Sequence, residues 1–263
     1  HNFPHLIPLD PYLDYPFGAS LGGPNLLVYL LSGTIWLIGL GSPTQHTVDV
    51  VGAYFPAFLG ALSVITVYFI GKTLFNRWTG IVAAALIAIL PGEFLGRSIL
   101  GATDRDAVEV LLTSLTMLFL ILAIKAAREK GLTFHRLNLQ HLPVFARPII
   151  YSLLSGISLG LYLLTWRGAF LIVLIMLVYF VIQSTIDHLK RKSLDYLSFV
   201  GIVTLLVALL MFWSASPNRL YLAALAISLI VLLTLSGLAW LLVRKKIRPI
   251  FYPLSVFGIG VLS

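Results

Sequence analysis

Cysteine is absent from this 263-residue chain, which excludes a disulfide framework and any thiolate metal site. Charge is scarce as well. Only 11% of residues are Asp, Glu, Lys or Arg against 59% hydrophobic, with a mean hydropathy of +0.98, so there is far too little polar surface to close a water-soluble globule. The chain is read as an all-α, polytopic membrane protein. Acids are the rarer charge, 10 against 18 basic residues for a net of +8. That balance alone would suit a binder of nucleic acid or other anions. The basic residues, however, sit in short loops between apolar runs, so they report membrane orientation and no nucleic-acid partner is expected. No initiator Met opens the chain at His1, and Ser263 falls inside an apolar run. A piece of a longer protein is expected.

What is present is a series of apolar runs near 50–71, 79–96, 107–127, 148–166, 169–187, 197–214 and 220–243, with another starting near Ile250. Each is long enough to cross a bilayer, which takes about 20 residues. If all seven cross, alternate loops share a side. One set holds Lys72 and Arg77; Lys125, Arg128, Lys130, Arg136 and Arg147; Lys190, Arg191 and Lys192; Arg244, Lys245, Lys246 and Arg248. The other holds only Arg97, Arg105, Arg167 and Arg219. The crowded set is expected in the cytoplasm and the sparse one outside.

Before these runs, residues 1–24 are rich in Pro, Gly and aromatics and read as an ordered polar loop, followed by a marginal apolar segment at 25–40. Its flanks, Pro24 and Gly41, and its Trp36 suit a surface-lying or dipping helix better than a clean crossing. The expected division is therefore 1–47 as an external loop with an interfacial helix and 48–263 as a helix bundle of about seven spans plus the start of another. The basic link from Ala126 to Pro148 reads as an anchor on an anionic leaflet. No internal repeat and no histidine pair at metal-binding spacing is evident.

The stretch that the rest is arranged around is Gly101 to Glu109, Gly-Ala-Thr-Asp-Arg-Asp-Ala-Val-Glu, on the external side. Asp104 and Asp106 at i and i+2 could supply part of an oxygen shell for Mg2+ or Mn2+. Arg97, Arg105 and the start of the next helix add positive charge suited to a phosphorylated headgroup. On pattern alone a hydrated, helix-capping loop is the simpler reading of Asp-Arg-Asp. Glu109 lies one turn into the helix, where it either pairs with Arg97 or Arg105 or supports the site; Glu93, after Pro91-Gly92, is similar. Trp166 and Arg167 read most simply as an interfacial aromatic and a snorkelling cation.

In combination these features resemble the catalytic subunit of archaeal-type oligosaccharyltransferase, within the GT-C class of membrane glycosyltransferases. The resemblance rests on Asp10-Pro11-Tyr12 with Tyr15-Pro16-Phe17-Gly18, a non-spanning external helix, Arg97 ahead of Asp104-Arg105-Asp106 with Glu109, and Thr165-Trp166-Arg167-Gly168, in the family's order. It implies a GT-C-type bundle with Asp104 and Asp106 as catalytic ligands of Mn2+ or Mg2+ and Arg97 as an active-site arginine. It also places Trp166 near the donor phosphate. Arg105, by its charge, is a second candidate for that contact. The implied reaction moves an oligosaccharide from a dolichol- or polyprenol-phosphate-type carrier to Asn in an Asn-X-Ser/Thr acceptor, at the outer face of the cell membrane or the lumen of the endoplasmic reticulum.

The family's further metal ligands and its Trp-Trp-Asp-Tyr-Gly motif in a soluble domain would lie upstream of His1 and beyond Ser263, so the chain alone is expected to be inactive. Two alternatives stay open. One is another GT-C transferase using a lipid-phosphate sugar; the other is a transporter with an acidic external vestibule, which would call for polar groups or broken helices near mid-bilayer.

Overall fold

The computed structural model describes residues 26–101, 105–134, 142–215, 219–244 and Tyr252. Asp104, like residues 1–25, lies outside them. The described residues form α1 (Leu26–Ile38), α2 (Gln45–Leu74), α3 (Arg77–Ile89), α4 (Glu93–Arg97), α5 (Asp106–Glu129), α6 (Leu142–Thr165), α7 (Phe170–Leu189), α8 (Asp195–Ala215) and α9 (Arg219–Arg244). A 3-10 turn, Arg167–Ala169, links α6 to α7. Six of these helices, α2 and α5 to α9, are long and apolar enough to cross a membrane. The chain is a multi-pass, all-helical membrane protein.

One expected span is built differently. Residues 79–96 do not form one helix, because Leu90 is extended (φ −68°, ψ 119°) ahead of Pro91, leaving α3 at 13 residues and α4 at five. A residue before proline is pushed out of the helical region, and proline has no N–H to continue the ladder. The chain still returns along α2. Near one end Gly71 and Gly80 touch, a Cβ on Gly71 meeting the Gly80 Cα at 2.9 Å. Near the other, the Gly101 N–H donates to the Ala53 carbonyl at 2.9 Å. Those two contacts lie about 27 Å apart along α2 at a helical rise of roughly 1.5 Å per residue, close to the roughly 30 Å hydrocarbon core. The α2–α3 turn, flanked by Lys72 and Arg77, and the start of α5 at Asp106 are therefore at opposite ends of the bundle.

The core is α6 packed between α5 and α8. Lipid offers no hydrophobic drive for helices to associate, so close backbone approach through small residues and interhelical hydrogen bonds takes over. Along α6, Ser152, Ser155, Gly156, Leu159 and Gly160 recur at helical spacing and are all buried. The Ser155 hydroxyl donates to the Thr116 carbonyl of α5 at 3.1 Å, and the Thr204 hydroxyl of α8 donates to the Ser152 carbonyl at 3.4 Å. Leu111, Leu112, Leu159, Leu163, Leu205 and Phe212 fill the space around this seam.

At the Lys-rich end a second cluster ties α7 to its neighbours. Asp187, 2% exposed, accepts from the Tyr196 hydroxyl, and the His188 ring stacks on Tyr252 at 4.4 Å between centroids. Removing a donor from a buried acceptor costs about 1–3 kcal/mol. Tyr196→Phe is therefore expected to lower the unfolding free energy read from an SDS titration by that amount; an unchanged value would show that Asp187 does not depend on this hydroxyl.

Candidate functional site

The site is assembled by α4 and the start of α5, seated on α2. Ser98 closes α4 by donating its hydroxyl to the Phe94 carbonyl at 2.7 Å, and it packs on Gly60 of α2, where an added Cβ would come within 2.9 Å of the Ser98 Cβ. A few residues on, Gly101 adopts φ +87°, a left-handed conformation that only glycine reaches without strain. Its N–H reaches the Ala53 carbonyl three residues before Pro56, the proline inside α2. Gly60 and Ala53 thus anchor the turn on which Arg97 sits and from which the acidic loop departs.

Asp106 is the first residue of α5 and Glu109 lies in its first turn. Arg97 bridges two acids: its Nη1 is 2.5 Å from Asp106 Oδ2 and its Nε is 2.6 Å from Glu93 Oε2. Arg105 Nε lies 3.3 Å from Glu109 Oε1 and 4.0 Å from Asp106 Oδ1. The result is an alternating chain of charge, Glu93, Arg97, Asp106, Arg105 and Glu109. Burial grades along it, since the Glu93 side chain is 83% exposed, Asp106 30% and Glu109 12%. Asp106 therefore stands at the boundary, reachable from solvent but held by guanidinium groups on both sides.

At Arg105 and Asp106 this arrangement departs from a capping loop. Arg105 occupies the N-cap position with helical angles and makes no side-chain capping bond, and the Asp106 carboxylate is engaged by Arg97 from another helix. Glu109 takes the pairing with Arg105 that its spacing allowed. Among the described residues no group of three or more His, Asp or Glu side chains is placed to hold a metal ion. Of the expected ligand pair, Asp106 stands in the site, and Asp104 falls outside the described residues.

Trp166 is at the C-terminal end of α6, 37% exposed. Its ring lies over Gly168, where a Cβ would approach it to 2.3 Å. The Ser155–Thr116 bond fixes the register of α6 against α5, and Trp166 lies about as far beyond Ser155 as Asp106 lies before Thr116. Both are therefore at the same end of the bundle. The side chain of Arg167 lies outside the described residues.

Comparison with known proteins places the chain and its fold. Residues 1–262 match the family model "Oligosaccharyl transferase STT3, N-terminal". The chain is 32% identical over 213 residues to the dolichyl-monophosphooligosaccharide–protein glycotransferase AglB of Haloferax volcanii, covering 80% of this chain and 20% of that protein. It is 33% identical over 212 residues to dolichyl-phosphooligosaccharide–protein glycotransferase 3 of Archaeoglobus fulgidus, covering 81% of this chain and 23% of that one.

Among solved structures, the fold matches AglB from Archaeoglobus fulgidus in complex with an inhibitory peptide and a dolichol-phosphate, with a TM-score of 0.82 and 28% identity over 100% of this chain and 31% of that one. It also matches a complex of the Archaeoglobus fulgidus oligosaccharyltransferase with Zn and sulfate, with a TM-score of 0.77 and 27% identity, again over all of this chain and 33% of that one. The chain thus spans between a fifth and a third of the length of these relatives. A family-model match over residues 1–262, with relatives 32% and 33% identical over four fifths of the chain, makes this protein a member of the STT3 oligosaccharyl transferase family, in its N-terminal membrane part.

Proposed function

We propose that this chain is the membrane half of an active centre that transfers a lipid-linked oligosaccharide to the amide of Asn in Asn-X-Ser/Thr, with the Asp106 end of the bundle facing outside the cytosol. The observation that carries this reading is the solvent-reachable Asp106 carboxylate held by Arg97 at the head of α5. Orientation follows from the crowding of Lys and Arg at the opposite end.

The donor set suits a hard divalent ion, Mn2+ or Mg2+: it is carboxylate oxygen, partly hydrated, with no sulfur and no histidine pair. Asp106 would hold the ion, together with Asp104 from the same loop and acids from elsewhere in the longer protein. When bound, the ion supplies positive charge that stabilises a departing phosphate oxygen. The chain's own residues do the rest. Arg97 fixes the direction of Asp106 and offsets its charge while no cation is bound. Arg105, 51% exposed, presents a guanidinium fork to a phosphorylated carrier. Glu109, buried behind it, keeps that guanidinium at the mouth. Trp166, at the same end, gives a flat apolar surface beside the headgroup.

The test is glycopeptide formation by the full-length protein from a lipid-linked oligosaccharide and a fluorescent Asn-X-Thr peptide, with and without Mn2+. Product only with both the sequon and the metal is the expected result; no product with any lipid-linked donor would overturn the reading. Within the same assay Arg105→Ala is expected to raise the KM for the donor about fivefold to thirtyfold, the loss of one charge-assisted contact of about 1–2 kcal/mol, and to leave the KM for the peptide unchanged. A larger change on the peptide side would remove Arg105 from the phosphate.

A further inference from the structure

At the end of the bundle away from Asp106, a cleft of about 430 Å³ opens between α2, α5 and α7. That size is within the range of sites that hold a small amphiphile. Its floor is one stripe of α5. Met117, Leu120, Ile121, Ile124, Lys125 and Arg128 all line it, and their spacing of three and four residues puts them on a single helical face. The stripe changes character along its length, apolar from Met117 to Ile124 and cationic at Lys125 and Arg128. It runs about 16 Å, at a rise of roughly 1.5 Å per residue.

Lys125 and Arg128 are exposed, and among the described residues neither has a carboxylate within ion-pair distance. Glu129 also lines the cleft, and against its one negative charge the lining carries two positive ones, Lys125 and Arg128. Tyr179 of α7 stands across from the stripe, 39% exposed. An occupant that matches lays an apolar tail along the roughly 10 Å apolar part of the stripe and holds one negative head at the membrane surface.

We propose that this cleft binds one anionic phospholipid of the adjoining leaflet, with its acyl chain along Met117 to Ile124 and its phosphate between Lys125 and Arg128. Basic pockets between transmembrane helices recognise such headgroups. The cleft is at the opposite end from the proposed active centre, so the lipid acts as a bound structural partner of the bundle and takes no part in the transfer.

The test uses the full-length protein in vesicles of mixed phosphatidylglycerol and phosphatidylcholine, with a photoreactive benzoylphenylalanine in place of Ile121. Illumination is expected to capture phosphatidylglycerol in preference to phosphatidylcholine. Lys125→Gln combined with Arg128→Gln is expected to weaken that preference about twenty-five-fold, roughly fivefold per basic side chain. Lys190→Gln combined with Lys192→Gln removes the same charge from the same membrane face outside the cleft and is expected to change it by less than about twofold.

Equal capture of the two lipids overturns the proposal. So does capture of polypeptide in place of lipid, which would mean that another part of the longer protein fills the cleft. An equal loss in both double variants also overturns it, because only general surface charge would then be at work.

Discussion

Asp106→Ala in the full-length protein is expected to lower the turnover of glycopeptide formation about a thousandfold, since a metal ion that stabilises developing charge is worth several kcal/mol. The substitution removes an oxygen donor. It also leaves Arg97 with one of its two acids, Glu93, and so adds net positive charge close to where the metal should sit. Both effects act in one direction. Folding does not explain such a loss, because a carboxylate in the first turn of a helix contributes only about 0.3–1 kcal/mol through the helix dipole, and the Asp106 side chain is 30% exposed. Asp106→Asn keeps the shape, removes the charge, and is expected to lose nearly as much. Raising Mn2+ should recover part of the activity of the Asn variant and none in the Ala variant. Turnover within about threefold of the wild type in both variants would take Asp106 out of the metal shell.

The second large effect is on stability. Gly156→Leu is expected to destabilise the bundle by about 3 kcal/mol or more, the upper range for overpacking a closed interface. A Cβ at position 156 would lie 2.7 Å from the Val207 Cβ and 2.8 Å from the Thr204 carbonyl oxygen. Neither can swing aside, since one is a β-branched carbon and the other is backbone. The α8 helix would have to move outward, which also breaks the hydrogen bond from Thr204 to Ser152. Gly237 of α9 is the matched control. Nothing lies within 4 Å of a Cβ built there, so Gly237→Leu should be neutral or slightly stabilising through helix propensity. SDS titration followed by circular dichroism measures both. Equal midpoints for the two variants would mean that the α6–α8 seam is not closed at Gly156.

Much of this architecture could be read from residues alone. Hydrophobic runs located the long helices, because bilayer thickness sets their length directly. The same runs could not show that 79–96 is broken. Mean hydropathy is blind to Leu90 leaving the helical region ahead of Pro91, although Pro91-Gly92 was the available signal. Helix 25–40 was legible as an element; as described, α1 is 13 residues, about 20 Å, short of the hydrocarbon core.

At the site, the sequence left Glu109 to pair with Arg97 or Arg105 and Glu93 to behave similarly; the structure pairs Glu109 with Arg105 and Glu93 with Arg97. The bond from Arg97 to Asp106 joins two helices across a loop, and no periodicity encodes it. The seat on α2 was also invisible. Gly60 and Ala53 matter because of what lies opposite them, Ser98 and Gly101, and an interhelical distance is not written in spacing. The same holds for the Ser-Gly stripe of α6, which reads as ordinary apolar sequence until Thr116 and Thr204 are placed against it.

The proposed transfer requires Asp106 to lie outside the cytosol. Leu100, 57% exposed and next to the anchoring Gly101, reports that side. This chain contains no cysteine, so Leu100→Cys, in a full-length protein cleared of any other cysteine, is a single reporter. With a membrane-impermeant maleimide, the prediction is labelling in intact cells or right-side-out vesicles and protection in inverted ones. Labelling only in inverted vesicles would put the Arg97–Asp106 pair in the cytosol and contradict the proposed transfer to external acceptors.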